Sequence, residues 1–398
     1  MNERVKRALV GATALGMLAG SGGAQLSTPP KARYYMDVST ATGPLTGGLR
    51  AILKGGGESR SLTLRLGSTL APDGGAARAD HFLPPATLLG ASVPLATPIP
   101  TPSGPSEPST GGTSQPGQPQ RPKGRLLIYW GCGAHAGPGQ PVIIDFGKIA
   151  DGQMPPNIFS TVVPVDNPPS EATSRTYGFW PGPRDKHPQP ASSLVGDHRI
   201  AGNYTPTIGF ALQQDWLAAL HASVAAQPDG SGLLSWNAVP GATGYYAWAF
   251  TGAGNGDAVC WASSTRREFG GALWDYVAPT VVARLVTQGI VLPPSATSCQ
   301  IPAEVKAGGA SVTLVNAFGP EADFAYPPRP TSPKVVWHPD WTAKVRYKST
   351  AMVLPSMGAM TRGANGQPGD KPTCKPKLGG MLGGMLGGRR PGSGDDCR

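Results

Sequence analysis

Charge is scarce in this chain. Only 15% of its 398 residues are Asp, Glu, Lys or Arg, and no block of five or more basic residues occurs. A nucleic-acid-binding protein carries a basic stripe or patch, so the scattered lysines and arginines argue against that partner despite a net charge of +10. Long apolar runs are missing after the first twenty residues. Nothing later approaches the ~18 uninterrupted apolar residues of a spanning helix, so no transmembrane segment is expected. The six histidines, His81, His135, His187, His198, His221 and His338, form no HxH or HExxH pattern, and no metal site is predicted. No cofactor is expected either. The glycines of Trp130-Gly-Cys-Gly-Ala-His-Ala-Gly137 invite a dinucleotide reading. That fingerprint needs a helix meeting the pyrophosphate, and Gly137-Pro-Gly-Gln-Pro141 blocks one.

What the chain does have begins at its start. Arg4, Lys6 and Arg7 precede a twelve-residue apolar run from Ala8 to Ala19, and Gly22-Gly23-Ala24 offers a cleavage site. This is the layout of a secretory signal peptide over residues 1–24, with a mature chain from Gln25 carrying about +8. No Cys closes the apolar run and no adjacent Arg pair precedes it, so neither a lipid anchor nor export in the folded state is expected. A periplasmic or secreted location follows. There a net positive chain is drawn to anionic envelope polymers.

Glycine and proline are abundant, at 56 and 44 residues, and unevenly spread. Residues 97–123 are a Pro/Ser/Gly-rich spacer, or a loop inserted within one sandwich, and residues 357–398 are a Gly-rich tail predicted to be disordered. The tail holds Leu378-Gly-Gly-Met-Leu-Gly-Gly-Met-Leu-Gly-Gly388, too glycine-rich for a stable helix. Elsewhere period-two alternation marks strands at Tyr34–Val38 and Ser61–Leu66, and another is read at Gly48–Leu53. Arg125–Trp130 and Pro141–Phe146 read as buried strands, and Tyr204–Phe210 as a further strand. Leu212, Trp216, Leu220 and Val224 recur at helical spacing without a good cap, which leaves helix and strand equally open. Val277–Leu285 is a second ambiguous stretch, weakened as a helix by Pro279 and its β-branched residues. The fold class is all-β: two β-sandwich-like domains with a Pro-rich linker and the tail. The expected boundaries are an N-terminal β region at 25–96, β domains at 124–218 and 219–320, and a strand region at 321–356.

The clearest signal is Leu234-Ser-Trp-Asn-Ala-Val-Pro-Gly-Ala-Thr-Gly-Tyr245, a strand closing on a Trp, a Pro-Gly turn and a strand opening on a Tyr. It resembles the B and C strands of fibronectin type III domains, and Ser311–Phe318 resembles that family's last strand. The resemblance spans about residues 219–320. It implies that Trp236 and Tyr245 are core residues in a module that binds, spaces or supports. If Tyr245 points inward, the pleat puts Ala247 and Ala249 beside it and Tyr246, Trp248 and Phe250 on the other face. Three such rings exceed the apolar patch that a monomer normally exposes. They are therefore covered by the same chain, displaced by a slipped register, or used as a platform for a sugar or a partner.

Five cysteines in an exported chain predict disulfides with one left over. Pairing Cys260 with Cys299 inside the sandwich module would stabilise by roughly 4 kcal/mol at best. Cys374 and Cys397 can pair within the tail, which leaves Cys132. With His135 nearby, Cys132 is the one candidate for a thiol nucleophile and its base, set against a half-cystine or a buried thiol. Trp337-His-Pro-Asp-Trp341 contains the tripeptide of J-domain cochaperones without their helical hairpin, so its tryptophans read as packing or a small aromatic contact. The favoured function is a non-catalytic binding or structural protein of the envelope, its partner a polysaccharide, a lipid or a protein. The alternative is a thiol-dependent hydrolase or redox protein using Cys132 and His135.

Overall fold

The computed structural model describes residues 27–44, 57–98, 124–154, 163–252, 256–306, 311–332 and 334–354. The expected signal peptide, the strand read at Gly48–Leu53, nearly all of the linker, the Gly-rich tail and Cys374 and Cys397 lie outside the described residues. The described residues hold sixteen strands and three short α-helices, an all-β fold.

Where apolar and polar residues alternate, a sheet with one buried face forms. Strand β1 (Ala32–Gly43) turns Tyr34, Met36 and Val38 to one side and Arg33, Tyr35 and Asp37 to the other. Strand β2 (Gly57–Ser68) pairs with it antiparallel and buries Leu62, Leu64 and Leu66. These two join β5 (Arg125–Trp130), β6 (Val142–Asp145), β7 (Thr176–Trp180), β12 (Gly244–Gly252), β13 (Ala258–Ala262), β15 (Ser311–Tyr326) and β16 (Trp341–Val353). The resulting nine-stranded sheet has the order β6-β5-β13-β12-β15-β16-β1-β2-β7. Strands from all four expected segments are interleaved in it, and β15 runs across residue 320. The boundaries expected at 218 and 320 therefore fall inside one body.

Two smaller sheets lie over its inner face. One is β10 (Ala222–Ala226), β11 (Gly232–Trp236) and β14 (Ser298–Ile301); the other is β3 (Ala79–Phe82), β4 (Ser92–Pro94), β8 (Gly196–Gly202) and β9 (Ile208–Leu212). Trp236 of β11 meets Tyr245 of β12 at 5.6 Å between ring centroids, and Phe210 of β9 stacks on Phe324 of β15 at 4.8 Å. One continuous apolar core runs beneath both small sheets. Against the apolar half of the opposite, outer face packs the stretch 263–291, with helix α2 (Pro279–Thr287). The other helices are α1 (Phe146–Ala150) and α3 (Ala303–Lys306).

Two local expectations are corrected. The stretch disfavoured as a helix is α2, because Pro279 sits in its first turn, where the missing N–H has no intrahelical acceptor to lose. Residues 213–221 form neither helix nor strand. Their backbone groups are satisfied by side chains instead: Thr40 and Thr42 donate to the carbonyls of Leu217 and Leu220, and Leu220 N–H donates to Ser349 Oγ. With those bonds made, the helical spacing of Leu212, Trp216 and Leu220 has no helix to build.

A bulge between Phe318 and Glu321 inserts one extra residue into β15 and reverses which of its residues face outward. Gly319 permits it, since a Cβ there would lie 2.6 Å from Tyr347 O and 2.7 Å from Leu217 Cδ1. The shift brings Glu321 opposite Arg346 and Asp323 opposite Lys344.

Candidate functional site

The outer face of β1, β2, β15 and β16 carries a checkerboard of charge. One row across the strands runs Glu321, Arg346, Asp37, Thr63; the next runs Asp323, Lys344, Tyr35, Arg65. Each cation has a carboxylate within ion-pair reach, a cross-strand arrangement that stabilises pairing. Asp37 is the hub. Arg346 Nε and Nη2 donate to its two oxygens at 2.7 and 2.8 Å, and Arg65 donates to it from β2. Arg346 is 2% exposed and Asp37 5%. Burial pulls the Arg346 guanidinium toward neutrality, and the bonds and charge of Asp37 outweigh it, so its pKa stands above the ordinary arginine value.

Two loops close over this array. Asp166 approaches Lys344 Nζ at 3.1 Å, its carbonyl accepts from Arg346 Nη1 at 3.1 Å, and its Oδ1 accepts from the Tyr35 hydroxyl at 3.0 Å. From the other side the ring of Tyr276 lies over Arg346 at 4.7 Å and under the Lys348 ammonium at 4.5 Å. Lys348 also reaches Asp275 at 3.5 Å, and burial lowers its pKa. Opposite charges neutralise one another throughout, so the array acts as a clamp joining four strands and two loops. A one-residue slip of any strand would drive these charges into the apolar core, so the array also fixes register.

On the inner face a second polar chain is fully buried. His198 Nε2 donates to Leu194 O at 2.8 Å, which leaves its Nδ1 to accept from His81 Nε2 at 3.0 Å. His81 Nδ1 then accepts from the Tyr34 hydroxyl at 2.7 Å. With both rings neutral the chain joins β8, β3 and β1, and a second proton on His198 breaks it, because two N–H groups would then face each other between the rings. Burial lowers both histidine pKa values, that of His81 well below its ordinary value with a further contribution from His198. Asp197 opposes the shift at His198, and Asp37 acts on Tyr34 in the same direction as burial.

Because the folded values lie below the unfolded value of about 6.5, the stabilisation is complete above that pH and is lost as pH falls toward the lowered values. Each imidazole that gains a proton on unfolding should steepen that loss by up to about 1.4 kcal/mol per pH unit. Urea unfolding at pH 7.5 and 5.5 measures it. His81→Gln keeps an acceptor and a donor but cannot gain the proton, so its dependence on pH should be shallower. An unchanged slope would assign the acid sensitivity to other groups.

The residues singled out from sequence are placed differently from several expectations. Cys132 is bonded to Cys299, with a Cα–Cα separation of 5.1 Å, and Cys260 is a free buried thiol. The pairing of Cys260 with Cys299 is thus corrected. Cys260 lies opposite Phe250 and points to the outer face, away from the small sheet that carries Cys299. Cys132 reaches it from the turn after β5, where Gly133 N–H donates to Gln300 O at 2.9 Å. His135 is 67% exposed and pairs with Glu304 at 3.2 Å, so no thiol–imidazole pair is assembled. Burial pushes the Cys260 thiol up to about 12, which leaves it inert as a nucleophile.

Tyr246 and Trp248 are buried and Phe250 is half-buried, in one cluster with Phe269, Leu273 and Val277. Trp274 stacks on Trp248 at 6.0 Å and meets Phe250 edge-on at 5.8 Å. A platform open to a ligand is therefore corrected to a face covered by the same chain. Among the described residues no group of three or more His, Cys, Asp or Glu could hold a metal, and no helix is long and apolar enough to cross a membrane.

Sequence reasoning missed the charged array. Its signal is there in Lys344-Val-Arg346-Tyr-Lys348, where charge recurs with period two opposite an apolar face, and in Arg33-Tyr-Tyr35-Met-Asp37. Comparison of the chain with protein-family models, with curated proteins and with solved structures finds no match.

Proposed function

We propose that this chain is an exported, non-catalytic binding or structural protein of the cell envelope or extracellular space, built on a fibronectin type III-like sandwich. The observation that carries the reading is the Cys132–Cys299 bridge, which spans 167 residues of sequence. Such a bond persists in oxidising compartments and is rare in reducing ones. It also occupies the one sulfur for which a nucleophilic role was drawn.

The strand order of residues 222–353 supports the sandwich, with Ser311–Phe318, expected as the last strand, falling in the sixth and the module extending past residue 320 to β16. The first, second and fifth strands form the sheet β10-β11-β14, and the third, fourth, sixth and seventh form the run β13-β12-β15-β16. This division of seven strands is the one a fibronectin type III sandwich uses. Both edges of the four-stranded run are occupied here by parallel neighbours, β5 against β13 and β1 against β16. A sheet edge is the usual place for unwanted pairing, so this chain spends its own preceding strands on closing the module.

Thiol labelling of the native protein, read residue by residue by mass, tests the reading. Cys132 and Cys299 should stay unlabelled until a reductant is added, and Cys132→Ser should cost about 2–4 kcal/mol in denaturant unfolding. Rapid labelling of Cys132 in the untreated protein, rising with pH near neutrality, would restore the thiol-enzyme alternative.

A further inference from the structure

The connection between β15 and β16 ends the hairpin in an apolar tip. Tyr326 is 57% exposed, Val335 50% and Val336 42%. The two arms of the connection are held together: Trp337 Nε1 donates to Pro327 O at 3.0 Å, and Asp340 N–H donates to the Tyr326 carbonyl at 2.6 Å. Exposed apolar residues usually occur singly, and a cluster rimmed by polar groups marks a contact surface. The rim here is cationic. Arg329 lies over the Trp337 ring at 5.4 Å, Lys334 is exposed beside Val335, and Lys31 is adjacent. The one carboxylate of the connection, Asp340, pairs with Lys31 at 2.7 Å. A further carboxylate, Asp323, lies earlier on β15 and is turned toward Lys344 at 3.8 Å. Apolar side chains inside a cationic rim, with a Trp among them, match the chemistry of an anionic lipid interface.

Ser27 forms a bridge with Trp337, and Thr28 N–H donates to Trp337 O at 3.0 Å, which ties the start of the described chain to this tip.

We propose that the β15–β16 tip is a lipid-facing surface that rests on an anionic bilayer through Val335, Val336 and Trp337 and the rim cations Arg329 and Lys334. This deepens the envelope reading by naming the partner. Flotation of the mature chain from Gln25 with phosphatidylcholine vesicles, with and without phosphatidylglycerol, tests it. The parent should float with the anionic vesicles. The double variant Val335→Asp/Val336→Asp should lose at least about tenfold in binding. Arg329→Glu/Lys334→Glu should lose at least about twenty-five-fold, since each cation near an anionic surface is worth about fivefold.

Val195→Asp makes the same change at an exposed residue outside the tip, and it should bind as the parent does. Thermal melts matching the parent establish that the variants are folded. A local readout is added. Quenching by acyl-chain-brominated lipid should be greater in the parent than in Trp337→Phe. Equal quenching, tip variants that bind as the parent, or equal binding to neutral vesicles would each overturn the proposal. Retention of the parent on envelope polysaccharide but not on vesicles would overturn it and leave the envelope reading standing.

Discussion

Replacing Asp37 with asparagine is expected to lower the unfolding free energy by about 3–5 kcal/mol, the usual consequence of removing one partner from a buried ion pair. The substitution leaves shape almost unchanged, so the loss measures charge rather than packing. Arg346 would keep its guanidinium inside the protein, between the rings of Tyr35 and Tyr276 at 5.3 and 4.7 Å, without the carboxylate that its Nε and Nη2 address. An amide offers one acceptor and turns N–H groups toward the second donor. Arg65, 28% exposed, can recover hydration, but Arg346 cannot. The double variant Asp37→Leu/Arg346→Met should recover most of the loss, because an apolar pair of similar volume is often as stable as the ion pair it replaces. Denaturant unfolding of the three proteins measures both effects. A loss below about 1 kcal/mol for Asp37→Asn would mean that water screens the pair as it does at a surface.

The same array shows where the sequence was legible and where it was not. Strands β2, β5, β6 and β11 were readable because each buries one face or both under local rules: alternation, or a short run of branched and aromatic residues. The pleat at Tyr245 was readable for the same reason, with Tyr245, Ala247 and Ala249 in one core and Tyr246 and Trp248 in the other. The partners were not readable. The parallel pairing of β1 with β16 joins residues about 300 apart, and nothing local in either strand selects the other. The bulge at Gly319 reverses the facing of β15, so simple alternation places Glu321 and Asp323 on the wrong side. The bridge failed for a related reason. Nearness in sequence favoured Cys260, whereas side-chain direction in β13 excludes it and leaves the distant Cys132.

Trp248→Ala is expected to cost about 3–5 kcal/mol, the range for emptying a buried aromatic site. Trp248 is 6% exposed and is held on two sides, by Tyr246 at 5.8 Å and by Trp274 at 6.0 Å. Removing the indole strands Trp274, which is 37% exposed and already meets Phe269 and Phe250 edge-on. The segment that carries Trp274 also presents Asp275 and Tyr276 to the charged array, so this loss should reach beyond the aromatic cluster. The contact of Tyr276 with Arg346 depends on that segment staying in place. The consequence is testable as non-additivity: Trp248→Ala combined with Asp37→Asn should cost less than the sum of the two, since each loosens the support that the other needs. Additive losses would mean that the aromatic cover and the ion-pair clamp stabilise the outer face independently. An unchanged melt for Trp248→Ala, with loss of a bound partner, would instead return these rings to the role of a platform.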